Sequence, residues 1–395
     1  MKQMKQFWQD NSRIVAYIVL ALLLLSILLL YRLGSLIHGL SSGELQTATN
    51  VVGWHGIYYS PLDLPLKIVR SVVFYIDPNH GQTLTRLPNA IFGGLTIISF
   101  SCLTWLWHGR RTAIFASVLF GTSAWVLHVS RLASFDVMYL WSITTLLLTH
   151  TLINRFQKYS IVWFGILAIW ALMITIPGMI WFITAELFLQ RASIKKFWFI
   201  YSRWWQRGLS IILPLLTLPL IIINFTRSGQ IIAWLGLPSH IAGPLSLLKQ
   251  FIGVFVHLFI RGPQYPTLWL GRTTLLDAFS LTMCVLGIYF YATRWHSTRS
   301  RLLEIFFIIG VILVALQGSV SLSVLVPLMY AASAMGIAYM LHEWFKVFPL
   351  NPLARSVGIG LITITVAISC VYNIRSYFIA WPHNEVTKVT FRYHR

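Results

Sequence analysis

Uncharged apolar stretches of about 15 to 20 residues recur along this chain, and that recurrence limits its fold more than any other feature. The first, 14–31, holds no Asp, Glu, Lys or Arg. In hydrocarbon such a stretch must be helical, because each backbone N–H and C=O has to find a partner within its own segment. Only 10% of the 395 residues are charged and 57% are hydrophobic. A soluble domain carries about 25% charged residues, so lipid rather than water is the main solvent here. The stretches are too long and too uniformly apolar for tilted barrel strands.

The pattern predicts an all-α, polytopic membrane protein with about eleven spans. They fall near 14–31, 88–107, 113–128, 137–153, 161–174, 179–189, 209–225, 275–293, 303–316, 323–341 and 357–374. The fifth and sixth are short and meet at Ile176-Pro177-Gly178, where proline forbids one continuous helix. They are either two short spans or one broken re-entrant pair. The whole of 1–395 reads as one transmembrane domain, with no soluble C-terminal domain expected.

Orientation follows from Lys and Arg. With the N-terminus cytoplasmic, the inner turns take Arg110 and Arg111, Arg155 and Lys158, Arg191 to Arg207, Arg294 to Arg301, and Lys346 with Arg355. The opposite short turns at Pro177 and Gly318 hold none, which is the positive-inside pattern of a multi-pass plasma-membrane protein. Loops 32–86 and 227–272 and the tail after Arg375 then lie outside. The net charge of +20 is a membrane signature, since inner bases meet anionic headgroups. No basic soluble domain is present to bind nucleic acid. Cys102, Cys284 and Cys370 fall in spans and offer neither a disulfide framework nor a metal knuckle. No Gly-rich phosphate loop or zinc motif appears. Energy for a reaction must come from a partner, an ion gradient or a substrate already activated in the membrane.

The first outer loop carries the candidate chemistry. Ser41-Ser42-Gly43-Glu44 has the Ser-x-x-Glu spacing of a capping box. Glu44 either caps a short interfacial helix or acts as a general base at the membrane surface, and the two roles are compatible. A second interfacial helix is expected over 62–76, with Asp63, Lys67, Arg70 and Ser71 on one face and its apolar side down in the headgroup layer. Further on, Arg131 and Asp136 sit at one boundary, either as an ion pair or as a phosphate-binding arginine with a carboxylate that orients the phosphate or a metal. Arg86 opens the second span at the same level, and Arg261 and Arg272 bracket an aromatic segment of the later outer loop. His55, His80, His240 and His257 lie in or near outer segments. A metal would need two of them to converge with a carboxylate, so no ligand set is assigned.

In order and motif these residues resemble the GT-C class of membrane glycosyltransferases. The branch in view holds the protein O-mannosyltransferases and the bacterial aminoarabinose transferase acting on lipid A. The likeness rests on Ser42-Gly43-Glu44 after the first span, the two interfacial helices, Arg86-Leu87-Pro88-Asn89-Ala90-Ile91-Phe92-Gly93-Gly94, Gly109-Arg110-Arg111, and His128-Val129-Ser130-Arg131-Leu132-Ala133-Ser134-Phe135-Asp136. It covers a module at 14–177, including outer loop 32–87. The region 178–395, with outer loop 226–273, follows only as a span pattern.

The resemblance implies transfer of a sugar from a polyprenyl-phosphate donor to a protein, lipid or glycan acceptor on the outer face, by an inverting displacement. It implies Glu44 as catalytic base and Arg131, Arg86 and Arg272 as binders of the donor phosphate. Asp136, His55 and Asp63 are supporting residues, and a divalent metal is a candidate cofactor. Two departures stand out. The family's first-loop Asp-Glu pair is Gly43-Glu44 here, and the Arg-Tyr pair before the late proline-containing span is replaced by Val320-Ser321-Leu322-Ser323. The alternative is therefore a non-catalytic lipid-linked-sugar binder, or a flippase or transporter of the same fold.

Overall fold

The computed structural model describes residues 2–37, 39–49, 61–76, 81–215, 230–263 and 273–393, with single residues at 217, 219, 222, 226, 267 and 270. Among them the structure is helical, with no strand and one isolated β-bridge between Leu40 and Tyr393. In chain order the helices are α1 (Lys2–Leu30), α2 (Ser42–Thr49), α3 (Leu64–Ile76), α4 (Gln82–His108), α5 (Arg110–Thr122), α6 (Ala124–Arg131), α7 (Asp136–Arg155), α8 (Ser160–Met173) and α9 (Met179–Leu189). There follow α10 (Arg191–Lys196), α11 (Trp204–Leu215), α12 (Gln230–Trp234), α13 (Pro244–Phe259), α14 (Ala278–Thr293), α15 (Thr298–Ala315), α16 (Val326–Val347), α17 (Pro352–Arg375) and α18 (Glu385–Thr390).

Among the described residues, four helical segments are long and apolar enough to cross a membrane: α4, α7, Leu322–Val347 and Pro352–Ala380. The pair α5 and α6 passes the same test but bends by 58° at Ser123. Shorter apolar helices at Ala16–Leu30, α8, α9, α13 and α14 add to these. The break at Pro177 is present, with Gly178 in the left-handed region at φ +74°. The break at Ser123 falls inside the expected span 113–128, which the apolar pattern read as continuous. Its freed Ala124 N–H donates to Asn373 Oδ1 of α17 at 3.2 Å, the kind of repair that lets a broken helix persist among neighbours. Expected span 209–225 falls largely outside the described residues beyond Leu215. The later outer loop is not all loop, because α13 lies inside 226–273. Its 16 residues are too few for a full span and are interrupted by Lys249.

Packing is tightest between α14 and α16. The Ala332 carbonyl occupies the place a Cβ on Gly287 would take, and the Met283 carbonyl does the same for Gly336. Small residues let the two backbones touch, as in lipid-facing bundles where close packing replaces the hydrophobic drive. Asp277 caps α14 by accepting from Ser280 N at 3.3 Å, and it ties in α17 through Ser369 Oγ at 2.7 Å.

One end of the bundle gathers the close of α1, α2, α3, the start of α4, the close of α6 and the start of α7. The C-terminal segment returns to the same end. Leu40 N donates to Tyr393 O at 2.8 Å and Tyr393 N to Leu40 O at 3.2 Å. This is the end that carries the first loop.

Candidate functional site

Glu44 sits in the first turn of α2 and forms the capping box read from its spacing. Its own N–H donates to Ser41 Oγ at 3.2 Å, and Ser41 N donates back to Oε2 at 3.0 Å. The rest of its environment comes from distant chain. Arg86 approaches in a fork, with Nε 2.9 Å from Oε1 and Nη2 3.0 Å from Oε2. Ala133 N donates to Oε1 at 3.0 Å. Each carboxylate oxygen therefore accepts two hydrogen bonds, and an ionised carboxylate offers only about four such positions. The residue is buried, and a bidentate, charge-assisted pair of this kind is both strong and geometrically specific.

Arg86 is similarly committed. Nη1 donates to Leu33 O at 3.3 Å and Nη2 to Gly39 O at 2.8 Å, besides its bonds to Glu44. Arg131 lies nearby in the fold but forms no ion pair with Asp136. Its Nη1 donates to Leu28 O at 2.7 Å and its Nη2 to Tyr31 O at 2.6 Å. These carbonyls belong to the end of α1, where helical partners run out, so Arg131 acts as a cationic C-terminal cap. The rings of Phe378 and Tyr377 cover its guanidinium at 4.7 and 5.4 Å. Sequence placed these three residues at one level, and the structure joins them into a clasp that locks α1, α2, α4, α6 and the turn before α7.

A second polar cluster lies beside the clasp. Asp63 precedes α3 with φ +54°. Its N–H donates to Thr175 O at 3.0 Å, and Leu64 N donates to Thr175 Oγ1 at 3.3 Å, so the start of α3 docks on the Pro177 break. The polar face of α3 turns into the protein. Lys67 and Arg70 are buried, while Val72, Tyr75 and Ile76 are exposed. The expected helix over 62–76 is present as α3, and its polar side chains Lys67 and Arg70 face the protein rather than water. Arg70 Nη2 donates to Asn89 Oδ1 at 3.3 Å, and Asn89 Nδ2 donates to Ser134 O at 2.5 Å. Half-buried Asp136 stands at the start of α7, one turn before Tyr139, whose hydroxyl donates to Ser319 O at 2.8 Å.

This cluster is left partly unsatisfied, as the clasp is at Arg131 Nε. Asp63 Oδ1 is buried without a hydrogen-bond partner among the described residues, while the Ser134 and Ser321 hydroxyls lie against the Asp136 carboxyl. Buried orphaned polar atoms are rare in folded proteins and call for a cause. Burial pushes the Asp63 carboxyl up to about 7, against the pull of Lys67 and Arg70 and with the help of Asp136. Burial also pulls the Lys67 ammonium down to about 8, against the attraction of Asp63. Sequence singled out Asp63 and Asp136, but Lys67, Arg70, Asn89 and Tyr139 emerge as site residues only from the fold. The helical spacing of Asp63, Lys67 and Arg70 was the one available signal.

Two predicted site residues, His55 and Arg272, lie outside the described residues, as does His80. No group of three His, Cys, Asp or Glu side chains suited to a metal forms among the described residues. Asp63 and Asp136 therefore have no third such side chain beside them among the described residues. Another buried pair lies in the bundle away from the first loop. His150 Nδ1 is 2.9 Å from Glu186 Oε1 and 2.9 Å from Gln190 Nε2.

No protein-family model and no curated protein matches the chain. Solved structures match it on fold. ArnT from Cupriavidus metallidurans in the apo state aligns with TM-score 0.53 at 12% identity, over 97% of this chain and 77% of that one. The same protein bound to undecaprenyl phosphate aligns with TM-score 0.56 at 11% identity, over 96% and 77%. The apo oligosaccharyltransferase of Archaeoglobus fulgidus aligns with TM-score 0.50 at 14% identity, over 96% of this chain and 56% of that one. The chain is a multi-pass, all-α membrane protein with the GT-C fold, as the motif order implied. At these identities the likeness is one of fold.

Proposed function

We propose that the chain is a membrane glycosyltransferase that moves a sugar from a polyprenyl-phosphate donor to an acceptor at the outer face. The observation that carries this reading is the cluster of Asp63, Lys67, Arg70, Asp136 and Tyr139 at the first-loop end of a GT-C fold, in which Asp63 Oδ1 is buried without a hydrogen-bond partner among the described residues. The fold is shared with a protein solved with undecaprenyl phosphate. Displacement at an anomeric carbon needs a carboxylate for the acceptor proton and positive charge for the departing phosphate. Lys67 and Arg70 supply that charge beside two carboxylates, with Arg272 as a further phosphate contact. Glu44, Arg86 and Arg131 position these elements. The phosphate leaves without protonation, so one carboxylate suffices, unlike the pair that hydrolases use. The sugar arrives already activated on lipid, in keeping with the absence of a nucleotide motif.

The test is sugar transfer from a panel of radiolabelled polyprenyl-phosphate sugars in membranes expressing the protein, with membranes lacking it as control. Labelled product above control supports the transferase. No product from any donor, with folded protein and native acceptors present, overturns it. One observation favours a second reading, a non-catalytic lipid-linked-sugar binder or flippase. Gly43 stands where the family's aspartate would be, and the neighbouring Glu44 is saturated with hydrogen bonds. Saturable donor binding without transfer would establish that second reading.

A further inference from the structure

We infer that Asp63, rather than Glu44, takes the acceptor's proton. This inference rests on the transferase reading and relocates its base to a residue nineteen positions beyond the expected one. Glu44 cannot serve without first breaking a bond, because all of its about four acceptor positions are filled. A base needs a free lone pair within hydrogen-bond reach of the proton it removes. Asp63 Oδ1 has one, buried and without a partner among the described residues.

The backbone around Asp63 is specific. A non-glycine residue at φ +54° is disfavoured, though Asp tolerates it better than most. The bonds to Thr175 O and Thr175 Oγ1 hold that conformation and fix where the carboxyl stands. Lys67 and Arg70 face it from its own helix, and Asp136 and Tyr139 face it from α7. Burial and the Asp136 charge hold the Asp63 carboxyl near neutrality, the range in which a carboxylate is basic enough to help and still ionised enough to act.

The acceptor O–H gives its proton to Asp63 Oδ1 while the oxygen forms a bond to the anomeric carbon. The bond from that carbon to the phosphate oxygen breaks, and its electron pair leaves with the polyprenyl phosphate beside Lys67 and Arg70. Asp63 then releases its proton to water and is ready again.

The experiment compares wild type, Asp63→Asn, Asp63→Gly and Glu44→Gln in sugar transfer across pH 5.5 to 9, with labelled polyprenyl phosphate binding measured in parallel. Asn and Gly both accept a positive φ, so these variants keep the local backbone. The expected result is a loss of about 100-fold or more in transfer for both Asp63 variants, with lipid-phosphate binding retained. Added sodium formate partly restores Asp63→Gly. Glu44→Gln lowers the yield of folded protein and leaves the acidic limb of the pH profile where it is in wild type. Transfer by folded Asp63→Asn within about threefold of wild type overturns the inference and leaves the transferase intact. A shift of the acidic limb in Glu44→Gln, with none in the Asp63 variants, also overturns it and returns the role to Glu44. Absence of transfer by wild type from every donor overturns the parent reading and this one with it.

Discussion

Glu44 and Arg86, 42 residues apart, meet in a two-point contact at 2.9 and 3.0 Å with both side chains buried. The pair fastens the first loop to the start of α4. Its value to the protein is positional, since a buried ion pair adds little stability over an apolar one, while an unpaired member is costly. Removing either partner strands the other. Glu44→Ala and Arg86→Ala are each expected to destabilise the fold by about 3–5 kcal/mol. The double variant should lose less than the sum of the two. Denaturation of the detergent-solubilised protein measures this, and fully additive losses would disprove the coupling.

Arg131 gives a second prediction. Its guanidinium reaches two carbonyls at the end of α1 and lies under two rings. A lysine keeps the charge but lacks the planar fork. Arg131→Lys should cost about 1–3 kcal/mol, the penalty for a buried acceptor losing its donor. Increased proteolysis or hydrogen exchange near Leu28 to Tyr31 would localise the damage to the α1 terminus. A phosphate-binding role would instead leave the apo protein's stability unchanged.

Asp63 predicts a pH dependence of stability with a definite sign. Its folded value of about 7 lies above the ordinary value of 3.8. The folded state therefore holds the proton more tightly than the unfolded state does. The stability associated with the protonated carboxyl is fully present below about pH 4 and is lost as pH rises through about 7. Asp63→Asn mimics the neutral form at a φ that Asn accepts. It should flatten this slope and melt higher than wild type at pH 8. Thermal melts at pH 5 and pH 8 decide the matter, and an unchanged slope in the variant refutes the assignment.

The α14–α16 contact predicts a purely structural effect. Gly287→Ala or Gly336→Ala would press a methyl group into a backbone carbonyl of the facing helix. Over-packing of this kind costs about 1–3 kcal/mol. Both variants should lower the melting temperature while leaving the pH profile of transfer unmoved. A shifted profile would show that this interface is coupled to the site.

Much of the scaffold was legible in the chain. The break at Pro177 follows from a missing N–H and a ring clash, and the capping box at Ser41 and Glu44 follows from a three-residue spacing. The bend at Ser123 was not legible, because no proline marks it and its stabilising partner is Asn373 on the last long helix. Helix α13 was hidden by its shortness and by Lys249. The burial of Lys67 and Arg70 was also hidden, because helical spacing shows that two residues share a face and not which way that face turns.

By itself, the sequence determined that this protein lives in lipid as a set of helices, and that its acidic side chains are few, with Glu44, Asp63 and Asp77 in the first loop and Asp136 at the α6–α7 turn. Apolar length and helical period carry that information along the chain, because each turn of a helix satisfies its own backbone. Only the tertiary structure decided which carboxylate is spent and which is free. Glu44 is filled by donors 42 and 89 residues away, whereas Asp63 is carried into a buried cluster beside Asp136 with an oxygen left unpaired among the described residues. A buried charge takes whatever partners the returning chain delivers, and local spacing does not record that return.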